Sequence, residues 1–201
     1  MLTGYKLIVV TVLLDYRAWA TSQGRKYDTA ARNEITYADL VEVGKAQGID
    51  IRPASQGGDI QIGDILFVRS GFTEDYARRS SSEIAKIGAR PFTMDTFDAD
   101  KTQAWTGLKA EQPVVEWLHD CYFAAVGGDS PTFEAFPPRG REGSLHGYCL
   151  ALWGMPLGEM VDLEKVAALA KKNGKYTFFF TSAPANVVRG VASHVNGTAI
   201  F

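Results

Sequence analysis

The chain has 201 residues, 46% hydrophobic and 22% charged, with a formal net charge of −2 at pH 7. That is enough apolar content for one sizeable core, and with no compositional break, residues 1–201 are read as a single domain. The slightly acidic balance excludes an electrostatic nucleic-acid binder, which concentrates Lys and Arg on one face to neutralise phosphates. Cys121 and Cys149 form no C-x-x-C pair and are too few for a disulfide framework, so they read as buried thiols in a reducing, cytoplasmic setting.

The opening stretch MLTGYKLIVVTVLLDYRAWA loosely mimics a signal peptide, with Lys6, an apolar run over residues 7–14 and Ala18-Trp19-Ala20. Asp15 and Arg17 follow the run at once, and its Val/Ile richness predicts a buried strand instead. No apolar stretch reaches the eighteen residues needed to cross a bilayer. Thr36–Gln47 reads as a helix with Thr36 as N-cap and Gly48 as its end. Gly57-Gly58 opens a turn before a short strand, Ile65–Val68, which leaves Arg69 at a strand end. The polar stretch Thr73–Ile87 is predicted as one helix, starting near Ser70 or Thr73 and closed by Gly88.

Residues 89–106 show no periodicity. Pro113 suits the first turn of a helix whose apolar stripe is Val114, Trp117, Leu118 and Cys121. YFAAVGGDSPTFEAFPP is a strand-to-loop signature that delivers Asp129 to the sheet edge. A loop with Arg139 and Arg141 leads to a short helix in which Leu145, Cys149 and Leu152 share a face and His146 lies beside it. Asp162 caps the helix DLEKVAALAKKNG, with Leu163, Val166, Leu169 and Ala170 at helical spacing. A strand over Tyr176–Phe180, a long loop and a terminal strand TAIF complete the chain. Alternating strands and helices give a mixed α/β class.

The sequence has no Gly-rich phosphate loop, no G-x-S-x-G and no H-E-x-x-H, which removes nucleotide binding, α/β-hydrolase chemistry and a zincin site. What remains is a set of polar residues on loops at strand ends: Arg69, Asp129, Glu134, His146, Glu159, Asn186 and His194. His146 with Glu159 reads either as a metal or acid–base pair, or as a helix-start histidine near an exposed glutamate. Asp129 is either a general base or the residue that closes its own Gly-Gly-Asp-Ser-Pro turn. Arg69 either clamps a substrate carboxylate or pairs on the surface with Glu74 or Asp75. Phe133, Phe136, Trp117 and Trp153 are core residues or a stacking platform for substrate.

Five stretches together, LLDYRAWA, GDILFVRSGF, WLHDCYFAAVGGDSPTFEAFP, LHGYCLALWGMPLGEMVDLEKVA and GKYTFFFTSAPANVVRGVASHVNGTAIF, resemble the cyclase family that includes kynurenine formamidase-like and isatin hydrolase-like enzymes. The resemblance implies a swivelling β/β/α fold, a homodimer or larger homo-oligomer, and metal-dependent hydrolysis of amides or lactams. It implies His146 and Glu159 as the family's downstream metal ligands. The family's principal H-x-G-T-H-x-D motif would lie before LLDYRAWA, where only MLTGYKLIVVTV stands, so the expected form is N-terminally truncated. One His and one Glu leave most of a coordination sphere to water.

The last loop also departs from the family pattern, with Val187-Val188-Arg189 and Ser193-His194-Val195-Asn196. The expectation is therefore a cofactor-free enzyme that cyclises, isomerises or dehydrates a small carbonyl-rich metabolite. Its catalytic residues would be His146, Glu159 and Asp129, and Arg69, His194, Arg189, Asn186 and Phe133 would bind substrate. The alternatives are a Zn or Mn amide/lactam hydrolase with His146 and Glu159 among its ligands, and a non-catalytic relative that binds a small molecule or a partner. Neither nucleic acid nor membrane is expected as a partner.

Overall fold

The computed structural model describes residues 10–93, 96, 98, 101–138, 144–183, 185, 187–190 and 192–201. Strand β1 (Val10–Leu14) is the described part of the expected apolar strand and is buried from Thr11 onward. A helix that the sequence reading missed, α1 (Tyr16–Ser22), starts directly after it because Asp15 Oδ1 accepts the Ala18 N–H at 3.0 Å. Trp19 and Ala20 of the signal-like stretch are buried in this helix. After a two-residue strand, β2 (Glu34–Ile35), comes α2 (Tyr37–Gln47), where Thr36 and Asp39 form a reciprocal capping box and Gly48, at φ 72°, ends the helix as expected.

Strand β3 (Ile65–Val68) falls where the sequence placed it. The single helix expected after it is two, α3 (Phe72–Arg78) and α4 (Ser81–Gly88). The break is at Ser80, whose hydroxyl accepts the Glu83 N–H while the Glu83 carboxylate accepts the Ser80 N–H. A fresh N-terminus with both orphan donors satisfied competes well with a continued polar helix. Strand β4 (Gly107–Leu108) pairs parallel to β2. Helix α5 (Gln112–Asp120) begins with Pro113 in its first turn and buries Val114, Trp117 and Leu118, as expected, with Cys121 just beyond.

Strand β5 (Ala125–Gly128) is followed, after the loop, by a turn over Gly147–Leu152 wound wider than an α-helix: the Trp153 N–H reaches the Tyr148 carbonyl five residues back, at 2.9 Å. Leu145 and Cys149 face the core, but the wider winding carries Leu152 off their face and leaves it 71% exposed, against the sequence reading. A short strand β6 (Leu157–Gly158) precedes α6 (Glu164–Asn173). Asp162 accepts the Glu164 N–H at 3.1 Å, and the buried face runs Leu163, Ala167, Ala170, with Leu169 turned outward. Strands β7 (Thr177–Ser182) and β8 (Gly197–Ile200) close the chain.

The main sheet has the order β6-β5-β3-β1-β7-β8. Its first four strands are parallel, and β7 runs antiparallel to both β1 and β8. Side chains alternate across the sheet as strand geometry requires. Val12, Leu14, Leu66, Val68 and Val126 meet residues of α1, α2 and α5 on one face, while Leu13, Phe67 and Phe178 meet α6 on the other. This is the mixed α/β class expected. Among the described residues no helix is long and apolar enough to cross a membrane. Both cysteines are free and buried, and burial pushes each thiol up to about 12.

Parallel strands place all their carboxyl ends at one edge, the edge at which open α/β sheets bind ligands. Here that edge carries Asp15 after β1, Arg69-Ser70-Gly71 after β3, Asp129 after β5 and Glu159 after β6.

Candidate active site

Three of the polar residues singled out from sequence meet at this edge, although only His146 and Glu159 had been given a role. His146 Nδ1 lies 2.7 Å from Glu134 Oε2, and His146 Nε2 lies 3.2 Å from Glu159 Oε1. The ring is therefore strung between two carboxylates. Leu145, fully buried, anchors the turn that carries it. Glu159 is steadied in turn by the Phe133 N–H at 2.8 Å, and Glu134 accepts the Ser144 hydroxyl.

Glu134 is buried at 4% exposure because the 133–135 segment is stitched to β4: Leu108 N–H donates to the Phe133 carbonyl at 2.9 Å and Ala135 N–H to the Leu108 carbonyl at 2.8 Å. Gly107 makes that approach possible. A Cβ there would stand 2.5 Å from the Glu134 carbonyl oxygen and 2.7 Å from the Ala135 nitrogen, and both are backbone atoms that cannot swing away. Gly107→Ala is expected to cost about 1–3 kcal/mol of stability, as other overpacking substitutions do. It should also displace Glu134 from the imidazole, visible as a changed His146 ring signal by NMR.

The electrostatics follow from this geometry. The bond from Glu134, then that from Glu159, raises the His146 pKa to about 10 against the opposing effect of burial. At neutral pH the ring is an imidazolium donating from both nitrogens. Burial works to raise the Glu134 carboxyl, but its His146 and Ser144 donors bring it below the ordinary range, so it is ionised.

Asp129 does not close its own turn. It is fully buried and reaches across to the end of β3, its two oxygens accepting Ser70 N–H at 2.6 Å, the Ser70 hydroxyl at 2.8 Å and Gly71 N–H at 2.7 Å. Burial pushes its pKa up, and these donors together with Arg69 pull it back. Its lone pairs serve to tie two strand ends together.

Arg69 is buried, where the sequence suggested a surface pair or a substrate clamp. It bonds Asp15 at 3.0 Å, Glu74 at 2.9 Å and Glu164 at 2.6 and 3.1 Å, so the protein's own carboxylates take the donors that a substrate carboxylate would need. Burial opposes its charge, and Glu164 and Asp15 more than offset that, raising its pKa. Arg17 extends the network through Glu74 and Asp75.

The Phe133 ring is in the core at 3% exposure, and only its backbone serves the site. Arg189 and His194 are exposed on the connection between β7 and β8. That connection approaches the site strand: Val195 Cγ2 stands 2.6 Å from where a Cβ on Gly158, the neighbour of Glu159, would be. Asn186 lies outside the described residues, as do Arg139 and Arg141. The signal for Glu134 was present in the sequence. A single carboxylate inside the apolar run Phe133-Glu134-Ala135-Phe136 is buried with its neighbours and must find a partner.

A catalytic zinc or manganese centre takes at least three protein donors. Only His146 Nε2 and Glu159 present themselves together, since Glu134 sits on the other ring nitrogen, and the described residues contain no cluster of three or more His, Cys, Asp or Glu able to hold a metal ion. The described residues alone do not fit such a centre.

No family model matches the sequence, and no curated protein matches it either. Among solved structures, the fold is similar to that of a crystal structure described as a novel cyclase, with a TM-score of 0.71 and 24% sequence identity over 97% of this chain. This chain spans about half of that one, 54% of its length. The mixed α/β fold is thus similar to that of the protein described as a cyclase, and the Glu134–His146–Glu159 line lies at the carboxyl edge of its parallel strands.

Proposed function

We propose that the protein is an enzyme of the cyclase family that cyclises, isomerises or dehydrates a small carbonyl-rich metabolite by acid–base chemistry at His146, without a bound ion. The observation that carries this reading is the half-buried carboxylate–imidazole–carboxylate line at the carboxyl edge of the parallel strands; the similarity in fold to a cyclase supports it. The His146 Nε2–H, shared with the part-exposed Glu159, is the donor that can turn to a substrate carbonyl oxygen as charge develops on it, while Nδ1–H stays on Glu134. Glu159, about a quarter exposed, is the group placed to take a proton from the adjacent carbon or hydroxyl. Glu134, enclosed and hydrogen-bonded, orients the ring and keeps it charged. Held together, the three would stabilise an enolate-like transition state in a prepaid geometry.

A second reading rests on one detail of the same geometry. Glu134 on Nδ1 leaves Nε2 beside another carboxylate, and a carboxylate on the far ring nitrogen is how metal-binding imidazoles are oriented. In that reading His146 and Glu159 hold zinc or manganese, the remaining donors come from outside the described residues, and the substrate is an amide or lactam. Assaying chelator-treated protein against hydroxy-ketones, β-dicarbonyls and N-formyl anilides separates the two. Turnover of a carbonyl substrate that survives chelation is the expected result. Loss on chelation with recovery on adding zinc or manganese would overturn it in favour of the metal hydrolase.

A further inference from the structure

We propose that a second site, at the opposite edge of the sheet, binds a small organic cation with a methylated ammonium head. Leu118, His119, Tyr122, Phe123, Trp153 and Met155 line a cavity of about 290 Å³ between the end of α5 and the segment entering β6. Phe123 and Met155 lie just before β5 and β6, whereas Glu159 follows β6, so the cavity is remote from the acid–base line. His119 lies 5.6 Å from Trp153 and 5.8 Å from Tyr122, ring centre to ring centre, with planes inclined at 59° and 44°. Rings at that spacing and tilt touch one another, so the three form one continuous aromatic wall of the cavity, which Phe123 and Met155 complete as a box. The described lining residues include no Lys or Arg, and the Asp120 carboxylate lies 2.9 Å from His119 Nδ1, so the box is electron-rich with a negative charge at its rim. Aromatic boxes of this kind hold quaternary ammonium groups through the ring faces.

The backbone adds an independent observation. Tyr122 follows the last turn of α5 in the left-handed region, φ 50°, with its N–H on the His119 carbonyl and its carbonyl held by the Gly63 N–H at 2.9 Å. This is the position at which helices favour glycine, because a Cβ there is strained. A tyrosine that is 60% exposed recovers little of that strain by burial. Strain kept at an exposed aromatic wall indicates that the ring is retained for what it contacts.

The test is titration with choline and with its neutral isostere 3,3-dimethyl-1-butanol, followed by the Trp153 indole N–H signal in NMR. Choline is expected to bind roughly 5- to 30-fold more tightly than the alcohol, the ratio that cation–π contact supplies. Tyr122→Gly should raise the melting temperature, since glycine relieves the strained φ, while weakening choline binding at least ~5-fold. No shift with choline, equal binding of the two probes, an intact response in Tyr122→Gly, or a lower melting temperature for that variant would each overturn the proposal.

Discussion

Replacing Arg69 with methionine is expected to lower stability by about 3–5 kcal/mol, the range for removing one partner of a buried ion pair. The guanidinium joins the end of β1, through Asp15, to the first turns of α3 and α6, through Glu74 and Glu164. Without it, Asp15, whose side chain is only 5% exposed, is left as a buried carboxylate beside two others. Arg17 pairs with Glu74 and Asp75, so it relieves only part of the repulsion. Urea denaturation measures the loss directly. A change below about 1 kcal/mol, the value for an exposed ion pair, would show that the network is solvated and contributes little.

His146→Gln is expected to lower kcat by ~10²–10⁴-fold, the usual contribution of a positioned acid or base. It should also cost about 2 kcal/mol, because Glu134 remains buried with one charge-assisted donor fewer. The double variant His146→Gln/Glu134→Gln separates the two effects. Removing the buried charge should return much of the stability and none of the activity. Full activity in His146→Gln, measured on folded protein with the substrate found in the chelation screen, would place the chemistry elsewhere.

Much of the scaffold could be read from the sequence because its signals are local. The Thr36 cap, Gly48 and Gly174 at helix ends, Pro113 in a first turn and the apolar tetrad of β3 each lie within a few residues of what they control. Strands β2, β4 and β6 have two residues each, too few for any periodicity to register. The break at Ser80 carries the Ser-x-x-Glu signature of a capping box, but a polar stretch on both sides hid it. At the site, His146 and Glu159 were identified by residue type and by resemblance. Their linkage through Glu134 depended on β4 arriving beside residues 133–135 from far along the chain. The pairing of Arg69 with Glu74, five residues away, was among the readings of the sequence, but its bonds to Asp15 and Glu164, 54 and 95 residues away, were not, because only the parallel topology brings them to one edge.

The raised pKa of His146 also fixes how stability responds to pH. A base whose folded pKa lies above its unfolded value stabilises fully below the unfolded pKa, near 6.5, and loses that contribution as pH rises through the folded value. This component of stability is therefore expected to decline between about pH 6.5 and about pH 10. Proton NMR titration of the His146 ring in chelator-treated protein tests the carboxylate–imidazole–carboxylate line most directly. The expected result is a ring that stays protonated through neutral pH and titrates near 10, with Glu134→Gln drawing the midpoint back toward 6.5. A midpoint near 6.5 in the unaltered protein would contradict it.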